Sequence, residues 1–201
     1  MSQKVLIGSL LDFTDDPAKA GIDAVRFIEQ GALLIEDGKI IARGEQQQVI
    51  DIAQPDATCI DRSGKLLVPG FIDTHVHYPQ TEMIAAYGEQ LLTWLTEHAF
   101  PTEQAFSDID HAREVADIFL TQLLKNGTTT ALVFGTVHPQ SVDAFFEKAQ
   151  VKNLRMICGK VMMDRNCPET LQDTAHSSYV ESKALIEKWH GVNRLQYAVT
   201  P

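Results

Sequence analysis

The stretch LVPGFIDTHVH, residues 67–77, decides the fold. A short apolar run follows a Pro-Gly pair and ends at two histidines separated by one residue, a pattern typical of a buried β-strand. In a strand, side chains at positions i and i+2 point to the same face. The imidazoles of His75 and His77 are therefore predicted to lie side by side, with Val76 on the opposite face.

Downstream of this strand, apolar runs of strand length alternate with segments of helical periodicity. Strands that alternate with helices favour parallel pairing through right-handed crossovers. The first long helix is predicted to end at Asn126-Gly127, a typical helix C-terminus. The predicted strands are 71–77, 128–134, 155–163 and 194–200, and the predicted helices are 112–125, 141–150 and 171–189.

Two α/β architectures fit this alternation, an open doubly wound sheet and a (β/α) barrel. Neither GxGxxG nor GxxxxGK[ST] occurs in the sequence. The phosphate-binding loops that usually indicate a doubly wound sheet are therefore not predicted. A complete barrel needs eight strands and roughly 250 residues. The chain, with four predicted strand–helix units at most, is either a fragment, or completed by a partner, or an open sheet. A fragment is favoured, with residues 66–201 as the first four βα units of an incomplete barrel.

The residues before this stretch are predicted to form a small β-domain, residues 1–65. Short apolar runs separated by glycines indicate antiparallel strands, and EDGK at 36–39 is a hairpin signal. We expect a β-sandwich that is incomplete without strands from a C-terminal region.

The composition excludes several classes of protein. With 17 basic and 27 acidic residues the net charge is −10, which disfavours binding to nucleic acid. The three cysteines are far apart and form no CxxC, so neither a disulfide framework nor a zinc ribbon is expected. No signal peptide is predicted, and no stretch approaches the ~20 apolar residues that span a membrane. We expect a cytoplasmic protein without a membrane partner.

The two histidines of the strand are candidate metal ligands. Two imidazoles on one strand face can converge on one ion, although catalytic zinc sites usually have three protein ligands. Asp73 is either an acceptor for a ligand histidine or a backbone-bonding turn residue. His138 and Asp164 follow later strands and lie at the same rim, where His138 has either a pocket or a loop role and Asp164 is expected to pair with Arg165 or a backbone amide. Structural or solvent-exposed roles are expected for the other histidines, His98, His111, His176 and His190.

The connection at 78–111 is much longer than the ~2–6 residues that usually join a strand to its helix. Residues 82–97 have a helical pattern. The segment is interpreted as an active-site lid or pocket wall, or as a helix that packs on the barrel. Trp94 is expected to pack in the core, with a place in an aromatic-binding pocket as the alternative.

Residues 67–77 resemble the opening signature of the amidohydrolase superfamily, PGFIDxHxH. The β-rich region before it is also typical of these enzymes. Within the superfamily, further segments along the whole chain resemble the guanine deaminase family. These are HYPQ at 77–80, LLTWL at 91–95, FPTE at 100–103, NGTTT at 126–130 and GKVMMD at 159–164.

This resemblance implies a (β/α)₈ barrel with one bound Zn²⁺, for which His75 and His77 match the first two ligands. It also implies that His77, Tyr78, Pro79 and Gln80 form the substrate-binding turn, with Gln80 hydrogen-bonded to the purine. The other ligands, the catalytic glutamate and an Arg-Phe pair that clamps the purine come later in the family. We therefore expect no catalytic residue before Pro201, and no activity from the 201-residue chain by itself.

The activity implied is hydrolytic deamination, in which guanine and water give xanthine and ammonia. A homodimer of the full-length protein is expected from the family. Two alternatives stay open. One is another amidohydrolase that acts on an aminated or chlorinated heterocycle, and the other is a truncated, non-catalytic binding or assembly protein.

Overall fold

The computed structural model describes residues 2–88 and 90–201, and the chain divides into two compact units, residues 1–69 and 70–201. The boundary lies four residues after the predicted one. The reason is that the last strand of the first unit runs to Leu67, which pairs with Leu10.

The first unit is one four-stranded sheet with the order β3-β2-β1-β4. Strand β2 pairs antiparallel with both neighbours, but β4 pairs parallel with β1, so the prediction of purely antiparallel strands is wrong for β4. A helical crossover between β3 and β4 returns the chain in the direction of β1. The elements are β1 Gln3–Phe13, α1 Pro17–Ala20, β2 Val25–Glu36, β3 Lys39–Glu45, α2 Gln46–Ile52 and β4 Thr58–Leu67.

A small apolar core joins this sheet to α2. Alternate side chains of β1 and β2 bury one sheet face, and Val49 of α2 covers them. Within residues 2–69 the strands form a single layer, so the second layer of a sandwich stays a prediction. The buried members are Val5, Ile7, Ala32, Leu34 and Val49.

The second unit contains four parallel strands in the order β5-β6-β7-β8. Crossovers between parallel strands are almost always right-handed, so crossovers that join sequential neighbours in this order place their helices on the same side of the sheet. A doubly wound sheet instead reverses its strand order and has helices on both faces. The topology is thus that of a (β/α) barrel. The elements are β5 Phe71–His77, α3 Leu91–Trp94, α4 Phe100–Gln104, α5 Ile109–Lys125, β6 Thr128–Phe134, α6 Pro139–Val151, β7 Arg155–Gly159, α7 Ala175–Trp189 and β8 Gln196–Tyr197.

The long connection after β5 is less regular than predicted. A 3₁₀ helix occupies Tyr78–Met83, and the continuous helix over 82–97 is wrong because regular helix resumes only at Leu91. From there α3 passes through a π-helical turn at Leu95–Ala99 into α4. A π turn inside a helix frequently accompanies a functional site.

Helix α5 ends as predicted. Asn126 is its C-cap, and Gly127 follows with a φ of +85°, a left-handed conformation that glycine adopts without strain. Strand β6 then begins at once. Both β7 and β8 are shorter than predicted, although Val161 and Thr200 form one further parallel bridge beyond them.

Helix α7 begins four residues later than predicted, at a capping box. The Thr174 side chain accepts a hydrogen bond from the Ser177 amide at 3.0 Å, and the Ser177 hydroxyl accepts one from the Thr174 amide at 2.9 Å. The T174A variant is expected to lower the free energy of unfolding by about 1 kcal/mol, because one amide of the first turn loses its acceptor. T174S retains the hydroxyl and should match the wild type in urea denaturation. Equal stability of T174A and T174S would contradict this assignment.

Candidate functional site

The two histidines lie together at the C-terminal end of β5, on one strand face as predicted. Their ring centroids are 5.3 Å apart and the ring planes are inclined by 57°. Phe134, at the end of the neighbouring strand β6, packs on both rings and is stacked on His77 at 4.6 Å. Strand pairing of His77 with Phe134 holds this arrangement, so the backbone fixes where the imidazoles lie.

The donor set suits part of a metal site. Burial, followed by the neighbouring His75, lowers the pKa of His77, and the neutral imidazole is the form that binds a metal. Among residues 2–88 and 90–201, no third His, Cys, Asp or Glu completes a cluster with this pair. The pair therefore offers two candidate nitrogen ligands, fewer than the usual three protein ligands of a catalytic zinc site.

An open cavity of about 550 Å³ extends along β5 beside the pair. His75, His77 and Gln80 are among its lining residues, together with Trp94 from the long connection. The Trp94 indole N–H donates to the Ala86 carbonyl at 3.1 Å, so the ring forms part of the cavity wall and is not part of the core cluster. Two candidate ligands and a candidate substrate-binding amide thus share one cavity.

Two residues of the predicted substrate-binding turn do not line this cavity. Tyr78 is fully buried, and its hydroxyl donates to the Ser141 carbonyl at 2.6 Å within a cluster of phenylalanines. Pro79 is buried beside it. A phenol ring inserted between the sheet and its helices has no free polar atom for a ligand, which corrects the prediction for Tyr78. His77 and Gln80 remain the candidate contacts of the turn.

Comparison with known proteins places this geometry in a family. A model of the amidohydrolase family matches residues 66–197. The chain belongs to the amidohydrolase family. The predicted α/β fold, with a small β-domain before strands of an amidohydrolase barrel, is confirmed.

Individual relatives of this amidohydrolase point to one group of enzymes. Guanine deaminase of Escherichia coli is 57% identical over 201 residues, which cover 98% of this chain and 46% of that protein. Its solved structure superposes with a TM-score of 0.93. Probable guanine deaminase of Deinococcus radiodurans is 44% identical over 183 residues, 89% of this chain and 42% of that protein. The chain thus spans about half the length of the curated relatives it matches.

A third relative is a solved structure with a ligand. Guanine deaminase from C. acetobutylicum, with guanine bound in its active site, is 27% identical and superposes with a TM-score of 0.79. The match covers 100% of this chain and 46% of that one.

Sequence reasoning missed a buried carboxyl beside the cavity of this amidohydrolase. Glu103 of α4 is only 7% exposed, and α4 packs against the 3₁₀ turn that carries Gln80. Burial raises the pKa of Glu103 from an ordinary 4.5 to about 7. No pattern in the sequence around Glu103, which lies two residues after Pro101, indicates that this glutamate is buried.

The raised pKa of Glu103 predicts a specific pH dependence of stability. The native state keeps the Glu103 proton up to about pH 7, whereas the unfolded chain loses it near 4.5. The contribution of Glu103 to the free energy of unfolding is therefore fully present below pH 4.5 and is lost as the pH rises through 7. It amounts to about 3 kcal/mol. In urea denaturation, the wild type should be less stable at pH 8 than at pH 5 by the contribution of Glu103, and E103Q should lack this part of the difference. The exposed Glu97 offers a matched control, since E97Q should retain it. Parallel pH profiles for the wild type and E103Q would contradict the assignment.

A second feature that the sequence did not predict is a buried charged cluster at the end of β7. Lys160, directly after β7, is fully buried, and its ammonium forms ion pairs with Asp173 and, at 3.2 Å, with Glu181. The Lys160 carbonyl also accepts a hydrogen bond from the Thr200 hydroxyl at 2.6 Å. The cluster therefore fixes the loop after β7 to helix α7 and to the chain after β8.

The other candidate residues have local roles. The Asp73 carboxylate accepts from the His75 backbone amide at 3.0 Å, the turn role and not the ligand-acceptor role. His138 is the N-cap residue of α6, and its carbonyl accepts from the Ser141 hydroxyl, while its buried Nε2 lies by the Lys160 cluster. Asp164 pairs with Arg165 as predicted, at 2.8 Å.

The remaining histidines bind neighbours or lie in solvent, as expected. His98 Nε2 lies 3.2 Å from the Tyr87 carbonyl, and His111 Nε2 lies 3.2 Å from the Glu82 carboxylate. His190 accepts from a backbone amide of β8, and His176 is exposed. Within the described part of the chain, no helix is both long and apolar enough to cross a membrane.

Proposed function

We propose that the protein to which this chain belongs is a zinc-dependent guanine deaminase, which converts guanine and water to xanthine and ammonia. The observation that carries the proposal is the shared cavity of His75, His77 and Gln80 at the end of β5. The 57% identity to guanine deaminase of Escherichia coli supports guanine as the substrate.

His75 and His77 would hold the zinc ion through their imidazole nitrogens. The Phe134 ring, which is stacked on His77 and tilted against His75, would help to orient both imidazoles. A bound zinc would supply a Lewis acid that lowers the pKa of water towards ~7. The proton-transfer residues and the remaining ligands are expected outside these 201 residues.

Gln80 would bind an edge of the purine. A carboxamide carries both a donor and an acceptor, which suits a neutral heterocycle whose ring nitrogens alternate between these roles. An uncharged ligand also fits a chain with a net charge of −10, since no attraction to phosphate is required. Trp94 gives the cavity an aromatic wall against which a planar ring can pack.

The test is turnover by the product of the complete gene. Purified protein with zinc and guanine should release xanthine and ammonia in equal amounts, and removal of the metal with a chelator should stop the reaction until zinc is restored. A panel of other aminated and chlorinated heterocycles serves as the comparison. If guanine stays intact while another ring is hydrolysed, the substrate assignment is wrong.

The 201-residue chain by itself should be inactive under the same conditions, because two ligands do not complete a catalytic site. Sustained turnover by that chain would refute this part of the proposal. We further propose a cytoplasmic location, which the free cysteines Cys59, Cys158 and Cys167 support, and a homodimer of the full-length protein.

A further inference from the structure

The turn that carries Gln80 is closed on itself. Its 3₁₀ helix spans Tyr78–Met83, and the Thr81 hydroxyl donates a hydrogen bond to the Tyr78 carbonyl at 2.6 Å. Gln80 lies between these two residues, so its backbone moves with that of Tyr78. The position of Gln80 relative to the histidine pair therefore depends on what holds Tyr78.

The Tyr78 side chain attaches this turn to the neighbouring strand–helix unit. Its ring is fully buried, and its hydroxyl donates to the Ser141 carbonyl of α6 at 2.6 Å. Ser141 is also fully buried, and its own hydroxyl accepts from the Thr136 amide at 3.0 Å and donates to the His138 carbonyl at 2.8 Å. The turn after β5 is thus hydrogen-bonded, through the first turn of α6, to the loop after β6.

This attachment continues across the strand ends. The Val161 amide donates to the Thr136 carbonyl at 3.0 Å, and Val161 forms a parallel bridge with Thr200. The hydrogen bonds therefore run from the end of β5, past β6 and β7, to the chain after β8. Because buried hydrogen bonds are electrostatically stronger than those in water, this series gives the Gln80 turn a firm support.

A second polar contact of the same turn is exposed. The Glu82 carboxylate lies 3.2 Å from His111 Nε2, and the Glu82 side chain is 52% exposed. Solvent and salt screen such a pair, so it contributes little to the position of the turn. Glu82 therefore offers a control for Tyr78 within one turn.

We propose that Tyr78 is a positioning residue, whose hydroxyl fixes the turn after β5 to α6 and thereby places Gln80 for its ligand beside the histidine pair. Tyr78 itself does not touch the ligand. The effect on substrate rests on the proposed function, in which that ligand is a neutral heterocycle, but the attachment of the turn does not depend on it.

The kinetic test is a double-mutant cycle in the product of the complete gene, with zinc and guanine. Y78F removes one oxygen atom and retains the packing of the ring on Phe106 and Phe145. It should raise KM about three- to tenfold, the factor for one hydrogen bond, because the turn is less often in the binding position. The kcat value should change less, and the zinc content should stay the same, since strand pairing holds His77. Q80A should raise KM further, and Y78F should add little in the Q80A background.

Two control variants separate positioning from a general loss of stability. E82A removes the exposed contact of the same turn and should have the KM of the wild type. Y197F removes another buried hydroxyl, which accepts from the Lys160 amide at 3.2 Å in a different part of the sheet, and should also leave KM unchanged. An equal rise of KM in Y197F and Y78F, or multiplying effects of Y78F and Q80A, would overturn the inference and leave the proposed function intact.

A second readout needs no turnover. In hydrogen–deuterium exchange followed by mass spectrometry, backbone amides of the turn at Tyr78–Met83 should exchange about three- to tenfold faster in Y78F than in the wild type, because local opening becomes easier. Exchange in the turn should match the wild type in Y197F. Unchanged exchange in Y78F would overturn the inference whatever the substrate is, whereas faster exchange in a protein that does not convert guanine would refute the proposed function only.

Discussion

The H77A variant is expected to lose stoichiometric zinc and all measurable deamination in the product of the complete gene. Loss of a residue that only supports a metal ligand already costs about 10–100-fold in affinity, and the loss of a ligand itself costs more. His77 has no substitute, since no cluster of three ligand side chains exists in residues 2–88 and 90–201. Zinc content by elemental analysis and xanthine formation should fall together.

The control for this variant is H176A, which removes an exposed imidazole from helix α7. It should retain zinc and activity. H77A also removes the imidazole that is stacked on Phe134. The thermal unfolding of H77A should therefore be compared with that of the wild type in the presence of a chelator. Full zinc occupancy in folded H77A would show that the pair at the end of β5 is not the metal site.

The K160M variant is expected to lower the free energy of unfolding by about 3–5 kcal/mol, the cost of leaving a buried charge without its partner. The carboxylate left behind is Asp173, which is 8% exposed. The double variant K160M/D173L should regain much of the loss, because it removes the charges from both sides of the pair. Urea denaturation measures both effects.

Lys183 provides the matched control, since its side chain is 60% exposed and its ammonium pairs with Glu187 at 3.9 Å. K183M should change stability by less than about 1 kcal/mol, as is usual for surface ion pairs. If K160M is no less stable than K183M, the cluster does not anchor the loop after β7.

The sequence was sufficient for the parts of the fold that depend on local patterns. The strand that carries His75 and His77 has an apolar run and a spacing of two, which fix its face. Asn126-Gly127 marks the end of α5 because glycine favours a left-handed backbone there. The parallel pairing of β4 was missed because a crossover helix was not recognised in Gln46–Ile52, a segment rich in glutamine.

The site was predictable only to the level of side-chain direction along one strand. Neighbours in sequence on the turn after β5 diverge, with Tyr78 in the core and Gln80 at the cavity, because a 3₁₀ turn sends successive side chains in different directions. Lys160 reaches Asp173 and Glu181 through tertiary packing across 13 and 21 positions, and Glu103 is buried where α4 packs against the turn after β5. No local pattern in the sequence marks a lone charged residue as buried.

In the proposed site, the β5 histidines hold a catalytic metal beside an amide that binds guanine. The most direct test is a crystal structure of the product of the complete gene with zinc and guanine, with anomalous scattering measured at the zinc edge. We expect one anomalous peak at ~2.0–2.1 Å from nitrogens of both His75 and His77, with guanine hydrogen-bonded to Gln80. A zinc peak away from this pair, in a preparation that converts guanine to xanthine, would contradict the claim.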